Sequence, residues 1–137
     1  MNVSMASSSI PTSIEPWLSV SKAAEAIAFY KSAFDAIETY RLDVPDGTVI
    51  ARLSIGGAGY WVADATSASD NQNPEILGGG TIRVILTVSN PDEVFSRAIK
   101  AGATEVFPVS EGHGWKLGRL VDPFGLHWEI GHPLTNQ

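Results

Sequence analysis

Two short stretches decide the fold: Leu18-Ser19-Val20-Ser21 and Leu86-Thr87-Val88-Ser89. Each ends a run of alternating character and leads into a segment of helix formers. Ahead of the first, Ile14, Pro16, Leu18 and Val20 fall on one face of a strand, and Glu15, Trp17 and Ser19 on the other. Pro16 lacks a backbone donor, which places this strand at a sheet edge. The second stretch closes a strand from Ile82 to Val88, with Leu86 and Val88 on one face and Arg83, Ile85 and Thr87 on the other. Glu25 and Glu93 then follow at the same offset.

Outward from these anchors the two halves continue alike. Ser21 is an expected N-cap, and the residues from Ala23 to Phe34 contain no Gly or Pro, which predicts a helix. Ile27, Tyr30 and Phe34 make its buried stripe, and Asp35 closes it in a left-handed turn. Ser89 is expected to cap a second helix, with Pro91 in the first turn and Gly102 stopping it after about Ala101. Three strands are predicted after each helix: 36–43, 47–54 and 58–64, then 104–109, 115–121 and 126–131. Asp46-Gly47, Gly56-Gly57, Gly112, Gly114 and Asp122-Pro123 mark the turns. The chain thus reads β-α-β-β-β twice, an internal repeat. The implied organisation is a flexible start over 1–13 and one domain over 14–133, with modules at 14–64 and 81–131, a linker at 65–80 and a flexible end at 134–137.

A chain of 137 residues suits one domain. With 44% apolar and 18% charged residues, it has the composition of an ordinary globule. Nine Lys and Arg against fifteen Asp and Glu leave a net charge of −6. Such a surface repels phosphate backbones and anionic lipid, so neither nucleic acid nor a membrane is expected as partner. Cysteine is absent, which excludes disulfides, thiol nucleophiles and Cys-ligated zinc. No apolar run approaches the ~18 residues of a membrane span. The Ser-rich start carries no Lys or Arg and so lacks the basic region of a signal peptide, and a cytoplasmic location is expected.

One helix can cover only one face of a small sheet. The apolar parity of each first strand belongs under the helix, while Glu15, Trp17, Arg83 and Ile85 take the other face. Charge and tryptophan at alternate positions suit a curved surface lining a ligand-sized hollow. The expected architecture is therefore α+β, two tandem βαβββ modules forming a curved mixed sheet around a ligand cleft.

The chain resembles the vicinal oxygen chelate superfamily of glyoxalases, bleomycin-resistance proteins and extradiol dioxygenases, and within it the PhnB-like branch. The likeness rests on Val20-Ser21, Ala28-Phe29-Tyr30-Lys31-Ser32-Ala33-Phe34, Ala101-Gly102-Ala103-Thr104 and the run from Gly114-Trp115 through Asp122-Pro123-Phe124-Gly125 to His127-Trp128-Glu129-Ile130. It implies a small-molecule ligand and a homodimer, in which some relatives pair the first half of one chain with the second half of its partner. It also implies four metal-ligand positions, which map to Glu15, Trp61, Arg83 and Glu129. Trp cannot ligate and Arg brings charge where an ion would sit, so no cofactor is favoured. A divalent metal, if held, would need Glu15, Glu129 and His127 or His113, in the manner of a metal-dependent lyase, isomerase or dioxygenase.

Two readings of Glu129 stay open. Arg83 replaces the ion and pairs with Glu129, with Glu15 or with both, or Glu129 serves as the catalytic base or anchor for a ligand's donor group. His113-Gly114-Trp115 is either an exposed turn or a lid that contacts ligand. His127 shares the parity of Glu129 and is either a second donor or a hydrogen-bonded packing residue. Trp17, Trp61 and Trp115 offer stacking faces, or fill space. With Arg83 beside them, they suit an aromatic ligand bearing a carbonyl or anionic group. Trp128, Ile130 and Phe124 are expected in the core.

Overall fold

Leu18 and Val20 are buried and Trp17 is exposed, so the alternation at the first anchor is that of a half-covered strand. The protein is seen here as a computed structural model that describes residues 11, 13–65 and 82–134. The expected linker and both expected flexible ends lie outside the described residues, apart from Pro11, Ser13, Ala65 and Leu134.

The first half comprises β1 (Trp17–Val20), α1 (Ala23–Phe34), β2 (Ile37–Asp43), β3 (Val49–Ile55) and β4 (Ala58–Asp64). The second comprises β5 (Arg83–Thr87), α2 (Pro91–Ala101), β6 (Thr104–Gly112), β7 (Trp115–Val121) and β8 (His127–Pro133). In each, the last three strands form a meander and the final one returns parallel to the first. The orders are β1-β4-β3-β2 and β5-β8-β7-β6, two four-stranded mixed sheets. The repeat extends to register. Trp17 pairs with Trp61 where Ile85 pairs with Glu129, and Arg52 opposes Trp61 where Arg119 opposes Glu129. Both meanders are irregular at the same place, between Glu38 and Tyr40 and between Glu105 and Phe107.

Several boundaries differ from expectation. The first strand begins at Trp17, not Ile14: Pro16 has no N–H to pair, although its carbonyl still accepts from the Trp61 amide at 2.9 Å. Ser21 and Ser89 are not the N-caps; Lys22 and Asn90 hold those positions without side-chain caps. Instead Asp64, at the end of β4, accepts from the Ala23 amide at 2.7 Å and from the Val49 amide at 2.8 Å. A distant carboxylate thus meets the positive end of α1. β6 and β8 run further than predicted, to Gly112 and Pro133, and the Leu134 amide donates to the Gly114 carbonyl. Asp35 closes α1 at φ 61°, as its sequence position predicts.

Each helix covers one face of its own sheet, and α1 packs on α2, so the helix-bearing faces share a single core. Trp128 of β8 sits at the seam. Its ring lies 4.7 Å from Phe34, 5.5 Å from Tyr30 and 5.8 Å from Tyr60, all from the first half. Phe124 meets Phe29 edge-on. Asp122 is buried there and accepts four hydrogen bonds: from the Tyr30 hydroxyl (2.7 Å), the Trp128 indole (2.9 Å) and the Phe124 and Leu126 amides. Burial pushes its carboxyl above the usual aspartate range, against the opposing pull of those four donors.

Candidate functional site

Residues of the opposite parity carry the chemistry. On the first sheet Ala51 and Leu53 point into the core, so Arg52 stands on the uncovered face beside Trp61. There it meets Glu15 through a forked pair, Nε–Oε1 at 2.9 Å and Nη2–Oε2 at 2.5 Å. The Trp61 indole also donates to Glu15 Oε1, at 3.0 Å. Arg52's hydrogen bonds, then its charge and the Trp61 N–H, hold the Glu15 carboxyl below the usual glutamate range in spite of partial burial. Trp61 fixed in this way lies nearly parallel to Trp17, with centroids 6.0 Å apart, and edge-on to Tyr40. The result is a tethered aromatic platform, with Trp17 and Tyr40 exposed.

The second sheet is arranged differently. A cavity of about 610 Å³ lies on it, lined by Ile85, Phe107, Ser110, Glu111, Gly112, His113, Trp115, Leu117 and Glu129. Its walls are aliphatic and aromatic with a few polar groups, the usual character of a small-molecule site. Glu129 is paired with Arg83, Nε–Oε2 at 3.3 Å. His127 is half-buried, and its Nδ1 accepts from Arg119 Nε at 3.3 Å, which requires the imidazole proton on Nε2. His113 occupies a left-handed turn position between β6 and β7 and is exposed. Lys116 reaches to Asp92 of α2 at 2.7 Å.

The expected site residues therefore fall into two groups. Glu15, Trp17 and Trp61 come together on the first sheet. Arg83, His113, Trp115, His127 and Glu129 come together on the second, where His113, Trp115 and Glu129 line the cavity and Arg83 and His127 stand beside it. Sequence reasoning missed Arg52, although counting back from the Gly56-Gly57 turn sets it opposite Trp61. Phe107, Ser110, Glu111 and Leu117 were missed as lining residues as well, whereas parity had set Ile85 on the lining face.

The metal positions implied by the family can be judged on their donors. Trp61 offers an N–H that is already given to Glu15, and Arg83 is a cation. Glu15 is held by Arg52, and Glu129 by Arg83. Among the described residues no three His, Asp or Glu side chains are grouped to hold an ion. The donor set does not fit a family metal centre, and no step is derived through one.

Comparison with known proteins accords with this architecture. The glyoxalase-like domain family matches residues 17–131. A Mycobacterium tuberculosis protein, Rv0887c, is 38% identical over 130 residues, covering 91% of this chain and 76% of its own length. The X-ray structure of the Arabidopsis thaliana At5g48480 product superposes with a TM-score of 0.72 at 29% identity, over 90% of this chain and all of that one. A glyoxylase/bleomycin resistance protein/dioxygenase domain from Frankia shares the fold, with a TM-score of 0.73 at 19% identity over 94% of this chain and 96% of that one. With two βαβββ halves, uncovered sheet faces and this match, the chain belongs to the glyoxalase-like domain family.

Proposed function

We propose that this protein binds a small, flat organic ligand in the cavity of the second sheet, without the family's metal, and does so as a homodimer. The observation that carries the reading is the cavity itself. It is large enough for a drug-sized molecule, walled by Phe107, Trp115, Ile85 and Leu117, and has two glutamates, Glu111 and Glu129, in its lining. Aromatic walls favour a ring, which stacks or meets them edge-on. Binding is the function this geometry supports, because Glu129, the withdrawn carboxylate of the wall, is paired with Arg83.

The dimer follows from what the single chain leaves uncovered. Trp17, Tyr40 and Leu42 of the first half and Ile85 and Phe107 of the second are exposed. A second copy laid over these faces would bury them and bring the Glu15–Arg52–Trp61 platform of one chain against the cavity of the other.

Tryptophan emission tests the binding reading. Neutral naphthalene-sized ligands should quench or shift it saturably, and Trp115→Phe should remove most of the response. An emission that ignores every such ligand, in a protein that is folded by circular dichroism, ends the reading.

A further inference from the structure

The two halves each carry one carboxylate–arginine pair on the uncovered sheet face, and the pairs are built to different strengths. Glu15 and Arg52 are locked in a fork, with side chains 19% and 29% exposed. Glu129 and Arg83 meet through one contact at 3.3 Å, longer than a good charge-assisted bond. The exposures there are lopsided as well: Glu129 is 16% exposed and Arg83 is 52% exposed. A carboxylate so far withdrawn from water needs a partner to remain charged, whereas a guanidinium half in solvent loses little by leaving.

The surroundings supply no replacement cation. The cavity lining contains neither Lys nor Arg. Arg119 is turned to His127, and Lys116 to Asp92 on the helix side. Glu111, the other carboxylate of the lining, is exposed, so Glu129 is the withdrawn wall charge, held by Arg83 at 3.3 Å. The aromatic walls add to this preference, since the faces of Trp115 and Phe107 attract a cation and not an anion.

We infer that the ligand carries a protonated amine or amidinium on an aromatic ring, and that this group docks on Glu129 in place of Arg83, which acts as its exchangeable stand-in. This rests on the cavity being the binding site proposed above. It reverses the sign suggested by the sequence, where Arg83 is expected to recruit an anion. It also gives the half-exposed arginine a role: it keeps Glu129 paired while the cavity is empty and swings to solvent when the ligand's cation arrives.

Three ligands of one shape test it by calorimetry at neutral pH: naphthylmethylamine, naphthylmethanol and naphthoate. The amine should bind about tenfold more tightly than the alcohol, and naphthoate most weakly. Glu129→Gln should erase the amine's advantage while keeping the alcohol's affinity, which also shows that the variant is folded. Arg83→Ala should tighten the amine by removing its competitor. Naphthoate binding as well as the amine, or Arg83→Ala weakening the amine, would overturn the inference. Alcohol binding without an amine preference would also end it, with the binding site itself left standing. Binding by none of the three would remove both.

Discussion

Tyr60 buries a hydroxyl that has no hydrogen-bond partner among the described residues, a short way from a carboxylate that has four. Burial and then the charge of Asp122 push its phenol well above the ordinary tyrosine range, so it stays protonated and its donor is left unused. An unmade buried hydrogen bond costs more than one replaced by carbon. Tyr60→Phe is therefore expected to raise stability, by about 1 kcal/mol in urea denaturation. A loss of that size would instead reveal a partner for the hydroxyl. At this scale the sequence is only partly legible. The helical spacing of Ile27, Tyr30 and Phe34 and the strand parity of Trp128 and Ile130 mark them as core, and all five are buried. Nothing in the local pattern marks Asp122 as the acceptor for Tyr30, because that contact joins residues 92 positions apart.

Within the first sheet, the fork between Glu15 and Arg52 lies over Gly59. A Cβ there would stand 2.6 Å from both Arg52 Cζ and Glu15 Oε2, so a side chain at this position forces the pair out of its forked geometry. Because the folded Glu15 carboxyl is lowered, its contribution is present above the usual glutamate range and is lost as pH falls through the folded value. Gly59→Ala should thus melt earlier than the parent at neutral pH, and the gap should close in acid. A gap that keeps its size from neutral pH into the acid range would mean that the pair adds nothing to stability. Helices, strands and their order were readable here because period and turn residues are local. The capping was not: Ser21 has the right chemistry, but the Ala23 amide is claimed by Asp64, 41 residues away. Arg52 was readable in principle from hairpin register, whereas Gly59 resembles any glycine in a strand until the pair above it is known.

For the molecule as a whole, the repeat foretold two similar halves but not how they meet. Parity assigns each strand a covered and an uncovered face; it does not say that the covered faces join through α1, α2 and the ring of Trp128. That outcome depends on aromatic packing between distant segments, and it leaves the two uncovered faces on separate sheets of one chain. The proposed dimer brings such faces together. Sedimentation should find a two-chain particle at micromolar concentration, and Trp17→Arg should shift it toward single chains with an unchanged far-ultraviolet spectrum. A parent protein that sediments as one chain throughout would sink the dimer. One consequence of the joined core reaches beyond this protein. Side chains at the hollow root in strands whose neighbouring residues do all the inward packing, so evolution can rewrite the guest list while leaving the masonry alone. A lineage built on this plan can drift among new chemicals by surface substitutions at a handful of alternate positions.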